Sequence, residues 1–133
     1  MEHTSEANLI LTAMAFLLVK HALADFLLQT EYQRSTKGTY GAPGGIIHSA
    51  LHIALTAPVL LMFQGLSLPR ALTILAGEFI IHYHLDWLKE QTVRRQSWTS
   101  RDTPFWWALG IDQLMHGLTY VAIIWLALTP LPA

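Results

Sequence analysis

Cysteine is absent from the 133 residues, which excludes disulfides and thiolate metal sites and leaves the redox compartment unread from this source. Charge is scarce as well. Asp, Glu, Lys and Arg make up 13% of the chain, about half the share of a soluble domain. No basic groove or nucleic-acid-binding motif is visible, so nucleic acid is not an expected partner. The opening MEHTSE has no basic segment and no small-residue cleavage site follows it, so the first apolar run reads as a mature helix and not as a removable signal. Apolar residues are plentiful at 53%. The composition is that of a membrane protein, and the length allows a single domain, 1–133.

Four apolar segments follow from the hydropathy pattern: Ala7 to Leu28, Ile46 to Gln64, Ala71 to Leu88 and Pro104 to Thr129. Each approaches the roughly 20 residues that cross a bilayer. The expected fold class is all-α: an integral membrane four-helix bundle. Arg34 and Lys37 follow the first segment, and Lys89, Arg94, Arg95 and Arg101 follow the third, whereas the second connection has only Arg70. By the positive-inside rule this bias puts the first and third loops in the cytoplasm and both termini outside. Trp87, Trp98, Trp106 and Trp107 gather on the loop side, as an interfacial belt does. The segment TEYQRSTKGTYGAPGG reads as a turn or short ordered loop, and Pro58 predicts a bend near Ala54.

The scarce polar residues of the apolar segments form a pattern. His21 and Asp25, His48 and His52, His82 and Asp86, and Asp112 and His116 all stand four apart, one pair per segment. Residues at this spacing share a helix face. With alternating helix directions and about 1.5 Å of rise per residue, all four pairs fall within roughly 15 Å of the loop-side boundary. HALADFL matches HYHLDWL as H-x-x-x-D-aromatic-L, and HSALH resembles DQLMH. This reads as two repeated helical hairpins related by an axis along the membrane normal.

Five His and three Asp supply nitrogen and oxygen donors without sulfur, a set that suits Zn, Fe, Mn or Ni and is large enough for two ions. Unpaired carboxylates are costly in a bilayer, so these groups must pair, protonate or bind a cation. Three readings compete at this level. The pairs could hold a divalent metal, with some acting as outer partners of the ligands. They could instead fix helix packing by hydrogen bonds alone, or two His could ligate haem, a reading that three neighbouring carboxylates disfavour. Glu78 stands four before His82 and is a candidate general base or extra ligand. Gln29 and Gln113 are candidates to hydrogen-bond ligands or substrate. His84 should face elsewhere, and His3 reads as a solvated tail residue.

On the elements H-x-x-x-D-F-x-x-Q (His21 to Gln29), H-x-x-x-H (His48 to His52), H-x-x-x-D-x-x-K (His82 to Lys89) and D-Q-x-x-H (Asp112 to His116), the chain resembles a bacterial and phage membrane family catalogued as domain of unknown function 3307. The resemblance implies a fold and a bacterial inner-membrane location, and no established activity. More distantly, Ile47-His48-Ser49 and the run from Gly77 to Asp86 are similar to inner-membrane metal-dependent hydrolases associated with LexA regulation. That similarity implies that His48, His82 and Asp86 are metal-site residues and that the chemistry is hydrolysis.

The expected function is therefore a membrane-embedded metal-dependent hydrolase with one or two divalent ions, Zn first and Fe or Mn as alternatives. His21, Asp25, His48, His52, His82, Asp86, Asp112 and His116 are the metal residues. Asp25, Asp112 or Glu78 would accept a proton from activated water. Shallow depth at the cytoplasmic side favours a lipid-like or amphiphilic substrate, with membrane lipids as neighbours. A di-iron oxidoreductase and a metal-stabilised accessory subunit are the alternatives, and a homo-oligomer is compatible with each.

Overall fold

The computed structural model describes residues 2–129, with side chains from Ser5 onward, so the expectation for His3 lies outside the described residues. All regular structure among them is helical. α1 (Glu2–Leu23) runs into a π-helical turn (Ala24–Leu28), followed by α2 (Glu31–Thr36), α3 (Pro43–Leu60), α4 (Leu68–Arg95) and α5 (Thr103–Leu128). The four long helices coincide with the four apolar segments. α2 is the departure, because the segment read as a turn contains a helix. Its start is a capping box: the Thr30 hydroxyl accepts from the Gln33 N–H at 3.3 Å, while the Gln33 side chain accepts from the Thr30 N–H at 2.8 Å.

Proline marks the other starts. Pro43, Pro69 and Pro104 each fall in the first turn of α3, α4 and α5, where no intrahelical N–H is needed. Pro58 lies inside α3, which continues for two residues beyond it. α4 ends when Ser97 adopts φ 53°, so that Ser97 N–H reaches the Arg94 carbonyl and Trp98 N–H the Val93 carbonyl at 3.1 and 3.0 Å. This is a Schellman closure with serine where glycine is usual. Before α5, the N–H and hydroxyl of Thr99 donate to Asp102 at 2.8 and 2.9 Å and hold its carboxyl below the usual carboxylate range.

Three helical stretches, Ser5–Leu28, Pro43–Leu60 and Thr103–Leu128, are long and apolar enough to cross a membrane, which points to a membrane protein. Three helices, against the expected four, meet that measure of length and hydropathy. The segment Ala71–Leu88 lies within the 28-residue α4, but Glu78, His82, His84 and Asp86 dilute its hydropathy. Three of those four are buried, Glu78, His82 and Asp86. A linear hydropathy reading counts them against the helix whichever way they face.

The long helices contact one another in the cyclic order α1, α3, α4, α5, with α2 against α3. Their interior is divided along its length. At the end holding the start of α1 and the end of α5, Ala13, Leu17, Val59, Leu60, Phe63, Ile74, Ile123 and Ile124 form an apolar core. At the α2 end the buried positions are polar: Lys20, His21, Lys37, His48, Ser49, His52, His82, Asp86, Asp112 and His116. Large apolar side chains such as Leu11, Phe16, Leu27, Ile111 and Trp125 are exposed on the outside, the inverse of a soluble bundle.

Close approach of α2 to α3 depends on Gly44, where an added Cβ would collide with the Thr36 hydroxyl and press on the Tyr32 and Gln33 backbone at 3.0 and 3.1 Å. Gly77 has open space instead. Gly44→Ala should lower stability by about 1–3 kcal/mol, the cost of overpacking. Gly77→Ala should be neutral or stabilising by up to about 1 kcal/mol. Thermal unfolding of both variants in detergent checks the contrast, and equal midpoints would contradict this packing of α2.

Candidate functional site

All eight predicted residues meet at the polar end of the bundle. The stripes that carry them continue at the same spacing: His48, His52 and Thr56 on α3, Glu78, His82 and Asp86 on α4, and Asp112, His116 and Tyr120 on α5 are all buried. His21 is buried on α1, and Asp25 lies in the π-helical turn that follows. Imidazole rings crowd the centre, with His52 and His116 at centroid distances of 3.8 and 4.2 Å from His82.

The donor atoms fall into two sets with no residue in common. Asp25, His48, His52 and His82 form one, and Asp86, Asp112 and His116 the other. A third grouping, His21, His82 and His116, spans them, and within each set the donor atoms lie within 4.8 Å of one another. The first set is rich in imidazole and the second in carboxylate. Both compositions suit divalent first-row ions.

Hydrogen bonding distinguishes the members. His21 is fully engaged: the Tyr120 hydroxyl donates to its Nδ1 at 2.9 Å, and its Nε2–H faces the Gln113 carbonyl oxygen at 3.1 Å and Asp25 at 3.3 Å, in the tautomer that satisfies both sides. It is placed to orient other ligands as much as to be one. Asp25 Oδ1 accepts from Nε2 of His48 and His52 at 3.2 and 3.1 Å. His48 Nε2 also lies 3.2 Å from Asp86 Oδ2, so one ring links two carboxylates. His82 is the opposite case from His21: it is 1% exposed, and neither ring nitrogen has a hydrogen-bond partner. Asp86 Oδ1, Asp112 Oδ1 and His116 Nε2 are likewise buried without a well-formed hydrogen bond, His116 Nε2 standing 3.5 Å from each of the two carboxylate oxygens. Such orphaned groups are uncommon in folded proteins and are the mark of a missing ion or water. The residues therefore fit a divalent cation.

Two lysines absent from the expected set are part of this region. Lys20 Nζ donates to Glu78 at 2.8 Å and to the His52 carbonyl at 3.2 Å. Lys37 Nζ donates to Asp86 at 3.2 Å. Lys20 was visible as the one basic residue inside an apolar run, but its role required knowing that α1 faces Glu78. Lys37 was counted as a free loop charge, whereas α2 folds it into the bundle with 5% exposure. Tyr120 and Thr56 could have been found by continuing the four-residue stripes from His116 and His52.

Glu78 belongs to none of the three donor groupings. Its Oε1 is held by Lys20 and by the Thr56 hydroxyl at 2.9 Å. Gln113 donates to Asp25 and Asp112, both at 3.2 Å, and so fixes two carboxylates at once. Gln29 donates to His48 at 3.2 Å. His84 is exposed, and its Nδ1–H donates to the Ile80 carbonyl at 2.7 Å while Tyr40 donates to Nε2 at 3.2 Å, so it faces away from the cluster as its spacing predicts.

The π-helical turn opens the site. α1 widens at Ala24–Leu28 and stops, with Gln29 in extended conformation, whereas α4 continues to Arg95 beyond the related Asp86. A cleft of about 310 Å³ occupies that space, lined by Asp25, Gln29, Lys37, Lys89, Asp112 and Gln113 among others. π-helical turns inside helices are frequent at functional sites.

The fold and cluster define a helical bundle with membrane-spanning character and a buried His/Asp centre. A family model described as "Protein of unknown function (DUF3307)" matches residues 13–132, and the chain belongs to that family. No curated protein and no solved structure matches it.

Breaking a buried ion pair on one side leaves an uncompensated charge that costs about 3–5 kcal/mol, and removing both partners costs much less. Lys20→Met should therefore destabilise strongly, and Lys20→Met combined with Glu78→Leu should recover part of the loss. Unfolding midpoints of the two singles and the double give the coupling. Additive effects would show that the pair is not energetically linked.

Proposed function

We propose that the protein is a metal-dependent hydrolase of the bacterial inner membrane, with one or two divalent ions, zinc foremost, at the His/Asp centre and an amphiphilic ester or phosphoester as substrate. The observation that carries the reading is His82, a buried imidazole of the first donor set with neither nitrogen hydrogen-bonded, grouped also with His116 of the second set. Hydrogen-bonded packing alone would leave no reason for such a side chain. Asp25, His48, His52 and His82 would hold one ion and Asp86, Asp112 and His116 another, with His21 orienting them through Tyr120 and Gln113.

A divalent ion at such a centre supplies Lewis acidity and lowers the pKa of water. The chain's own residues supply the rest. Asp25 and Asp112 line the cleft, and each is a candidate to accept the proton released on attack. Gln113 keeps the two carboxylates at a fixed separation. Glu78 is the third candidate base, and its pairing with Lys20 and Thr56 makes it the least free of the three. Lys37 and Lys89 also line the cleft, paired with Asp86 and Glu90 at 3.2 and 2.8 Å, and offer ammonium donors to the polar head of a substrate. The same donor sets suit a di-iron oxidoreductase, which metal identity separates from a hydrolase. A metal-stabilised accessory subunit would carry metal and turn over nothing.

In the membrane we place all four long helices across the bilayer, α4 with its polar stripe turned inward, as two related hairpins. The cyclic helix order is compatible with a two-fold axis that exchanges α1 with α4 and α3 with α5. The loops around α2 and between α4 and α5 would face the cytoplasm, and both termini the outside.

Protein purified in mild detergent should contain zinc or manganese by elemental analysis, and His82→Ala should lower the occupancy while His84→Ala leaves it unchanged. Full occupancy in His82→Ala would sink the ligand assignment, and a metal-free, folded and functional preparation would sink the reading. Reporter fusions in the connection Gln96–Asp102 should report a cytoplasmic location. A periplasmic signal there would reverse the orientation.

A further inference from the structure

The cleft over Asp25 and Asp112 has a neighbour on the outer surface of the bundle. Between α4 and α5 runs a groove of about 340 Å³, walled by Leu85, Leu88, Trp107, Ala108, Ile111 and Met115. It is of ligand size, near the lower end of the roughly 300–1,000 Å³ typical of small-molecule sites. Leu88, Trp107 and Ile111 are 56, 65 and 62% exposed, so the groove opens sideways toward the space that lipid would fill. Its polar lining is confined to Lys89, Thr92 and Asp112. Lys89 and Asp112 also line the cleft, so this pair borders both spaces. Asp112 Oδ1 is buried there, 3.5 Å from His116 Nε2 and without a well-formed hydrogen bond.

We infer that the α4–α5 groove seats the single alkyl chain of an amphiphile whose polar head reaches between Lys89 and Asp112 into the cleft. The inference rests on the proposed function and specifies its substrate class: a one-chain amphiphile that enters from the membrane. Three features favour this occupant. The groove is apolar along its length and polar at one junction, the pattern of a chain with a head. The junction carries the Lys89 ammonium, paired with Glu90 at 2.8 Å, beside Asp112, so a polar head there meets both hydrogen-bond donors and acceptors. A second groove between α4 and α5, of about 460 Å³ and walled by Ile74, Ile81, Ile123 and Leu126, shares no residue with the cleft, and a depression formed by Leu11, Thr12, Ala15, Phe16 and Val19 on α1 has neither a charged residue nor a residue in common with the cluster. That face therefore serves as an internal control for ordinary lipid contact.

The wall residue Ala108 controls the width, since a bulky side chain there would project into the space between the helices. Trp107 and Ile111 flank it one step before and one turn after on α5, and act as positioning residues for the chain, neither being a member of the donor sets.

The test is photolabelling of the full-length protein in detergent with a long-chain fatty acid bearing a diazirine at its methyl end, followed by peptide mapping. Adducts should concentrate on Leu85–Thr92 and Pro104–Met115, fall when excess unlabelled fatty acid is added, and be mostly lost in Ala108→Trp. Ile111→Trp provides a second variant should the first fail to fold, and both should keep wild-type metal content. Labelling spread evenly over the bundle, with the Leu11–Val19 face labelled as strongly and no competition, would show annular lipid only and overturn the inference. So would undiminished groove labelling in both variants. Metal measured on the same samples keeps the two ideas separable: competed groove labelling in a metal-free protein would uphold the groove and reject the hydrolase, whereas metal with no groove labelling would do the reverse.

Discussion

The structure turns on four carboxylates withdrawn from water. The side chains of Asp25, Glu78, Asp86 and Asp112 are exposed by 8, 1, 3 and 3%, in a bundle whose exterior is apolar. Carboxylates so placed must be compensated, because burying an unpaired charge costs far more than a helix contact returns. Lys20 answers Glu78 and Lys37 answers Asp86. Fixed cations therefore match half of the buried negative charge, and five imidazoles surround the remainder, His82 with neither nitrogen hydrogen-bonded. A single divalent cation would balance those two charges. Two would leave a net positive centre that attracts an anionic group.

This constraint organises the bundle from end to end. The apolar core of Leu17, Val59, Ile74 and Ile123 occupies one end and supplies non-directional burial, which leaves the other end free to be polar. Between them lie Lys20, Glu78, Thr56 and Tyr120, each of which joins helices by a directional bond. α2 closes the polar end, and its close seating over Gly44 brings Lys37 within reach of Asp86. A helix of six residues has little stability of its own. Its ion pair and capping box are what fix it.

The sequence disclosed the long helices and the cluster because both are written in simple periods. Apolar runs mark the helices, and pairs four apart mark one face, so His21, Asp25, His48, His52, His82, Asp86, Asp112 and His116 could be named without coordinates. Features that depend on two helices meeting were less accessible. Lys37 looked like a loop charge because nothing in its neighbourhood says that the chain turns inward. Thr30 and Gln33 did carry a capping signal, but the Gly and Pro residues that follow masked it. α4 shows the limit from the other side: the apolar run Ala71 to Leu88 marks it as a span, but its buried polar stripe keeps its hydropathy below that of the other three long helices. The π-helical turn left no local trace, since Ala-Asp-Phe-Leu-Leu is compatible with an ordinary α-helix.

That turn has a consequence for the related halves of the chain. Asp25 and Asp86 occupy matching places in the H-x-x-x-D repeat, yet α1 ends beyond its aspartate while α4 runs on for more than two further turns. One member of the pair is left at a doorway and the other is walled in by Lys37 and the continuing helix. Duplicated letters have thus acquired unequal access. Traffic through the mouth of the cleft would meet Asp25 first, and Asp86 would act from behind it.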